Sequence, residues 1–202
     1  MRFAFPALAL MASVAFASSG TIVAVSTTTK HIAPPASAGS GLGAQFATAW
    51  DERQNVAISA VQAEITSNPG NSWFTSPGLV TGMVDSHMLT HNGSWIDNST
   101  LKGWVTFDNP IVAVIFESRS LNATDFTLGS PTTNYHQNLL RGFLNTLSPN
   151  FLQVNGNTLT YDFARWHGGF YDYSQVRVLT AVPAPGAAAC LALAILAPRR
   201  RR

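Results

Sequence analysis

Apolar and polar positions alternate in short runs through the middle of the chain, and that period of two predicts strands rather than helices. Thr21-Ile22-Val23-Ala24-Val25-Ser26 is short and β-branched and reads as a first strand. Thr27 to Ala44, rich in Thr, Pro, Ser and Gly, reads as a loop, and Phe46 to Asp51 as a helical turn. Between Gln54 and Thr66 the apolar positions slip: Val56, Ile58 and Ala60 keep one register, while Val61, Ala63 and Ile65 keep the other. A bulged strand explains the slip, with a helix as the competing reading because Ala and Glu dilute the β signal. Leu79 to His91 predicts a strand or strand pair, and Gly103, Val105 and Phe107 alternate against Trp104 and Thr106. Ile111 to Phe116 is apolar at every position, as expected of a central strand covered on both faces.

Asn122 to Gly129 reads as a connector carrying a brief strand, and Leu139 to Leu144 as the best helix or 3₁₀ candidate. Phe151 to Phe163 brackets Asn155-Gly156 and predicts a hairpin closed by a type I′ turn. Gln175 to Val182 is the last strand, with Val176, Val178 and Thr180 on one side. Asn68-Pro69-Gly70 and Asp108-Asn109-Pro110 supply turns. Seven or more short strands without α/β alternation predict an all-β fold, an antiparallel β-sandwich of jelly-roll type.

The two ends break this pattern. Met1-Arg2 is a minimal basic start, Phe3 to Phe16 is almost wholly apolar, and Ala15-Phe16-Ala17 is an Ala-x-Ala cleavage site. Residues 1–17 therefore read as a secretory signal peptide, with Ser18 as the new N-terminus. At the other end, Val182-Pro183-Ala184-Pro185-Gly186 is followed by an apolar run to Pro198 and by Arg199, Arg200, Arg201 and Arg202. The prolines keep the joint extended. The apolar run is shorter than the ~20 residues of a standard membrane span, so it predicts a temporary anchor rather than a permanent one. The arginines hold it with its end on the cytoplasmic side. The expected organisation is a signal peptide, a β-sandwich over 18–181 and a sorting segment over 182–202 with an apolar helix.

This tail resembles the PEP-CTERM sorting signal of bacteria, with alanine at the central position of the Pro-x-Pro motif. The resemblance implies processing by exosortase, a membrane-embedded thiol enzyme, after signal peptidase and the secretion machinery. It also implies delivery to the cell surface or to an exopolysaccharide matrix. The body is similar to a β-rich ectodomain of such proteins through Asp51-Glu52-Arg53-Gln54, Val84-Asp85-Ser86-His87, Phe107-Asp108-Asn109-Pro110-Ile111 and Gln175-Val176-Arg177-Val178. That ectodomain brings no established activity.

Charge changes its meaning once the ends are set apart. The chain has 12 basic and 10 acidic residues. Arg2 and Arg199 to Arg202 account for five of the 12, leaving seven against 10, a net −3 for the body. The basicity belongs to targeting and gives no ground for nucleic-acid binding. The single cysteine, Cys190, lies in the tail, so no disulfide holds the body. Charged residues make up 11% of the chain, and Ser, Thr, Asn and Gly solvate it instead, as suits an extracellular β-protein.

Candidate chemistry is sparse. His87 and His91 stand four apart, about 13 Å on a strand, too far to share a metal. Asp85-Ser86-His87 holds the letters of a hydrolase triad, but strand neighbours point to opposite faces, and a hydrogen-bonded cluster at a strand edge is expected. Asp51, Glu52, Asp97, Asp108, Asp125 and Asp172 offer oxygens to a structural calcium, without a dedicated loop; no other cofactor is indicated. Trp166, Tyr171, Asp172 and Tyr173 concentrate aromatics beside two glycines, as candidate glycan contacts or as packing. Asn92, Asn98 and Asn122 open glycosylation-like triplets and read as turn residues. The expected function is a non-catalytic surface or matrix protein, structural or adhesive. The alternative is a secreted polysaccharide hydrolase or carbohydrate-binding module, and the hydrolase would need two carboxylates set across a cleft.

Overall fold

In the computed structural model of the protein, residues 20–39, 42, 45–66, 76–92, 100–137, 141–142, 152–164 and 173–183 are described. They fall almost entirely in one compact unit, Ser19–Val182. The signal peptide and the apolar sorting helix expected from the sequence lie outside the described residues, as does the turn at Asn68-Pro69-Gly70.

Ten strands and one helix are found among the described residues. They are β1 (Ile22–Val25), β2 (Thr29–His31), β3 (Ala47–Asp51), β4 (Val56–Ala63), β5 (Gly78–Asn92), β6 (Thr100–Phe107), β7 (Ile111–Ile115), α1 (Ser118–Leu128), β8 (Leu152–Asn155), β9 (Thr158–Ala164) and β10 (Tyr173–Ala181). A four-stranded sheet has the order β1-β6-β9-β8. A six-stranded sheet runs β2-β3-β5-β10-β7, with β4 also paired to β5. The pairings are antiparallel except for β2 with β3. The mainly β character matches expectation.

β5 is one continuous strand of 15 residues. Its first half pairs with β4 through Gly78 to Val84, and its second half with β3 through His87 to Thr90. β10 runs along the opposite edge from Val84 to Asn92. The slip read in β4 is a register shift between Ile58 and Val61. The alternation in β6 buries Val105 and Phe107 and exposes Trp104.

Five expectations are corrected. The segment Thr27 to Ala44 contains β2, drawn into a parallel ladder with β3. Phe46 to Asp51 is strand, not helical turn, because β3 is hydrogen-bonded by β2 on one edge and β5 on the other, and that ladder overrides a short local preference. β7 is covered on both faces but closes the strand order rather than occupying its centre. Its Val114 exchanges backbone hydrogen bonds with Ile65 (2.9 and 3.1 Å) and also accepts from Glu64 N. The stretch read as a connector with a brief strand belongs to α1 and its end. Its buried positions, Leu121, Thr124, Asp125 and Leu128, recur at helical spacing, but the middle two are polar and hide the stripe. Of Leu139 to Leu144, Arg141 and Gly142 are described, and they pair along β10 rather than forming a turn of helix: Gly142 bridges Gln175, and Gln175 N donates to Arg141 O at 3.1 Å.

The hairpin is present with a different turn. Asn155 pairs with Thr158, so the central residues are Gly156 and Asn157. Positive φ occurs at Gly156 (61°) and not at Asn157, the sign pattern of a type II′ turn rather than I′. The tip is anchored to the β6–β7 corner, where Phe107 N donates to Asn157 O and Ile111 N to Gly156 O.

Two apolar clusters organise the packing. One draws on both sheets, joining Leu101, Val105, Phe107, Leu159 and Phe163 to Ala49, Leu89, Val176 and Val178. The other lies on the opposite face of the six-stranded sheet, where Trp50, Met88, Ile115 and Leu179 meet Leu121 and Leu128 of α1. Strands β3 and β10 and the second half of β5, from Val84 on, are therefore buried on both faces, while the first half of β5 exposes Leu79 and Met83.

Gly156→Val should destabilise the fold by more than about 1 kcal/mol, because a β-branched residue is strained at positive φ. Urea denaturation followed by circular dichroism measures it, and an unshifted midpoint would refute the turn assignment.

Candidate functional site

The face of the six-stranded sheet beneath α1 buries a set of charges. On β10, Val176 and Val178 point toward the four-stranded sheet, so Arg177 must point the other way, toward α1. Its side chain is fully buried. Nε donates to Glu52 Oε2 at 2.7 Å and Nη2 to Glu52 Oε1 at 3.0 Å, a bidentate clasp. Nη2 also reaches Asp125 Oδ1 at 3.0 Å, and Nη1 reaches Thr124 Oγ1 at 2.6 Å and Leu121 O at 3.3 Å. Glu52 follows β3 directly and is held by its backbone N–H on Ser86 O; Ser86 Oγ donates to Glu52 Oε2 at 2.7 Å.

A second arginine completes the set. Arg141 Nη1 and Nη2 both bind the Asp125 carboxylate, the latter at 2.9 Å. Nε donates to Gln175 Oε1 at 2.7 Å and Nη1 to Asn122 Oδ1 at 3.0 Å. Asn122, read as a turn residue, is thus part of α1 and of this network. The Tyr135 hydroxyl donates to Glu52 Oε1 and accepts from Ser130 N, and both guanidinium carbons lie 5.5 Å from its ring centroid.

Two carboxylates balance two guanidinium groups, so the set carries no net charge. Burial alone would pull the Arg177 pKa down, but the fields of Glu52 and then Asp125 outweigh it and push it up. Burial and the charge of Glu52 push the Tyr135 phenol up, so the hydroxyl stays a donor.

Two buried members of this network, Asp125 and Tyr135, floor an open cleft of about 440 Å³. Arg53, Phe126, Asn134 and Gln137 stand around it. Gln137 Nε2 donates to Asp125 Oδ2 at 3.2 Å. Each acidic oxygen on the floor is already hydrogen-bonded.

The residues singled out from the sequence fall elsewhere. Asp85, Ser86 and His87 lie in β5, which is paired on both edges, rather than at a strand edge. Ser86 faces α1, and His87 faces Phe107 of the other sheet, with ring centroids 4.6 Å apart. Asp85 binds the backbone N–H groups of Gly20 and Asn55. No triad forms from these three. His87 Nδ1 instead meets Asp51 Oδ1 at 2.7 Å, and Nε2 meets Thr180 Oγ1 at 3.1 Å. Burial would raise the Asp51 pKa, but His87, the Ile22 N–H and His31 together outweigh it and lower it. His91, on the same strand face as His87, stacks on Phe163.

Of the acids offered to calcium, Asp51, Glu52 and Asp125 are engaged as described, and Asp108 Oδ1 accepts from Thr21 N at 2.8 Å. Asp97 and Asp172 lie outside the described residues. Among the described residues no group of three or more His, Cys, Asp or Glu side chains is placed to hold a metal ion. A second cleft of about 450 Å³ holds two carboxylates, Glu64 and Glu117. Glu64 is buried and caps the start of α1, accepting from Phe116 N at 2.7 Å, Glu117 N at 3.3 Å and Ser120 Oγ at 2.6 Å; Glu117 is exposed.

Trp166, Tyr171 and Asp172 lie outside the described residues, and Tyr173 opens β10 opposite Asn92. Of the tail motif, Val182 N donates to Met83 O at 3.4 Å and Pro183 is exposed; Ala184, Pro185, Gly186 and Arg199 to Arg202 lie outside the described residues. Among the described residues no helix is long and apolar enough to cross a membrane. The chain matches no protein-family model, no curated protein and no solved structure.

Arg177→Met keeps the volume but strands Glu52 without its clasp, and should cost about 3–5 kcal/mol in urea denaturation. Because the Tyr135 pKa is raised above its ordinary 10.0, the stability it contributes is intact below pH 10 and is lost as pH climbs above it. In alkaline melts Tyr135→Phe should flatten that loss; an identical alkaline slope in both proteins would remove Tyr135 from the account.

Proposed function

We propose that this is an exported bacterial protein, sorted through its C-terminal tail by an exosortase-type enzyme to the cell surface or extracellular matrix, where it has a structural or adhesive role without catalysis. The observation that carries the reading is the order of a Pro-x-Pro joint, an apolar run and four terminal arginines, beginning where β10 ends at Ala181. The compact unit ends at Val182, which supports a sorting segment added after the fold rather than built into it. The tail would anchor the chain in the inner membrane while the enzyme acts at Val182 to Gly186.

The body reads as an antiparallel β-sandwich. Support comes from the apolar cluster shared by both sheets. The non-catalytic role is supported by the commitment of four buried carboxylates. Glu52 and Asp125 are neutralised by arginines, and Glu64 and Asp85 by backbone N–H groups. A hydrolase acting on polysaccharide needs one carboxyl kept protonated and another free, and the Glu64–Glu117 pair does not offer that while Glu64 caps a helix. A carbohydrate-binding role needs no such pair and stays within the adhesive reading.

Expression of the full chain in bacteria with and without an exosortase tests the route. Mass spectrometry of the surface fraction should show Ser18 as the N-terminus and no arginine cluster, and only where the enzyme is present. An intact, cytoplasmic chain would overturn the reading. A chain ending at Val182 should be soluble with β-type circular dichroism; insolubility with loss of that signal would make the tail part of the fold.

A further inference from the structure

We propose that the cleft beside the C-terminal half of α1 binds a pyranose ring of a polysaccharide, with Phe126 as the stacking platform. This gives the adhesive reading above a ligand class and a place. It starts from Phe126, the most exposed large apolar side chain among the described residues, at 88%. Its helix neighbours Thr124, Asp125 and Leu128 are buried, so α1 is firmly seated and presents this ring outward without gaining packing from it. A flat apolar face at the rim of a polar cleft is the arrangement that the C–H face of a sugar ring can cover.

The polar groups around it favour the same ligand. Arg53 uses Nε to donate to Gly129 O at 3.1 Å, which fixes the guanidinium while its two terminal nitrogens have no partner among the described residues. The Asn134 side-chain amide is exposed and likewise has no partner among them; its backbone is held by the hydrogen bond of Asn134 N to Ala36 O. A guanidinium and an amide held on a rigid backbone offer in-plane donors and an acceptor, which is what vicinal hydroxyl groups require. The floor argues against a strongly charged ligand. Asp125 is neutralised by Arg141 and Arg177, and the Tyr135 hydroxyl is committed to Glu52. A neutral or singly charged sugar meets no unpaired charge there, and burying it strands none.

The test is an NMR titration of the chain ending at Val182, once its fold is verified, with a β-1,4-linked glucose hexamer and with a β-1,4-linked mannose hexamer. At least one should bind in the millimolar range, shifting amide signals of α1 and of Gly129 to Gln137. Phe126→Ala should weaken that binding about threefold or more, as expected for one lost stacking contact, while the melting temperature holds, and Phe126→Trp should restore it. Asn134→Ala should weaken it as well. The inference is overturned if neither hexamer binds, if binding survives Phe126→Ala, or if Phe126→Ala lowers the melting temperature. Because purified protein is used, these outcomes are independent of whether the chain is exported and sorted.

Discussion

The buried clasp of Arg177 on Glu52 and Asp125 is the interaction on which the rest of the described fold depends. It joins four pieces of chain distant in sequence: the end of β3, the middle of β5 through Ser86, β10, and α1. Two ionised carboxylates and two guanidinium groups have left water at this point, at a desolvation cost that only near-complete pairing offsets. The pairing is near complete. Each guanidinium nitrogen of Arg177 has a partner, and each carboxylate oxygen of Glu52 and Asp125 receives at least two donors. Such a network tolerates few alternative positions, so it fixes how α1 lies across the sheet more sharply than the apolar contacts of Leu121 and Leu128 could alone.

The seating of α1 is supported again at its other end. Glu117 makes no side-chain cap, and the carboxylate of Glu64, from the segment after β4, accepts instead from the N–H groups of Phe116 and Glu117 and from the Ser120 hydroxyl. Negative charge at a helix N-terminus is favourable, and here it also ties the helix to the edge of β7. The short helix, only three turns long, is therefore stabilised mainly by tertiary contacts, in keeping with the marginal stability of helices of that length by themselves.

The same commitments shape the functional reading. Carboxylates that cap a helix, clasp an arginine or gather backbone N–H groups already have their oxygens engaged. Around the network, the Arg53 and Asn134 side chains and the Phe126 ring are exposed. The floor is charge-balanced, and its hydrogen bonds give a body without disulfides a rigidity that the single, tail-borne cysteine cannot supply.

Much of the β framework was legible in the chain, because alternation reports one buried face directly. The Val105–Phe107 run, the slip in β4, the hairpin after Leu152 and the Val176–Val178 side of β10 all follow from it. The type of turn was not legible, since Asn155-Gly156 and Gly156-Asn157 differ by one residue of register, and register is set by the partner strand. α1 stayed hidden because the buried stripe reads Leu, Thr, Asp, Leu, and the two polar members are apolar-like only in the presence of Arg177 and Arg141. Arg177 itself looks solvent-facing in a half-buried strand. The one clue is that it sits between Val176 and Val178, opposite in phase to both. Local sequence thus determined where the alternating strands run and which of their faces meets the other sheet, but not β2 and β3, which the β2-β3-β5 ladder made strands. Tertiary structure alone decided the second buried face, because a charged side chain enters a core only when its partners, here 52 and 125 residues apart along the chain, arrive with it.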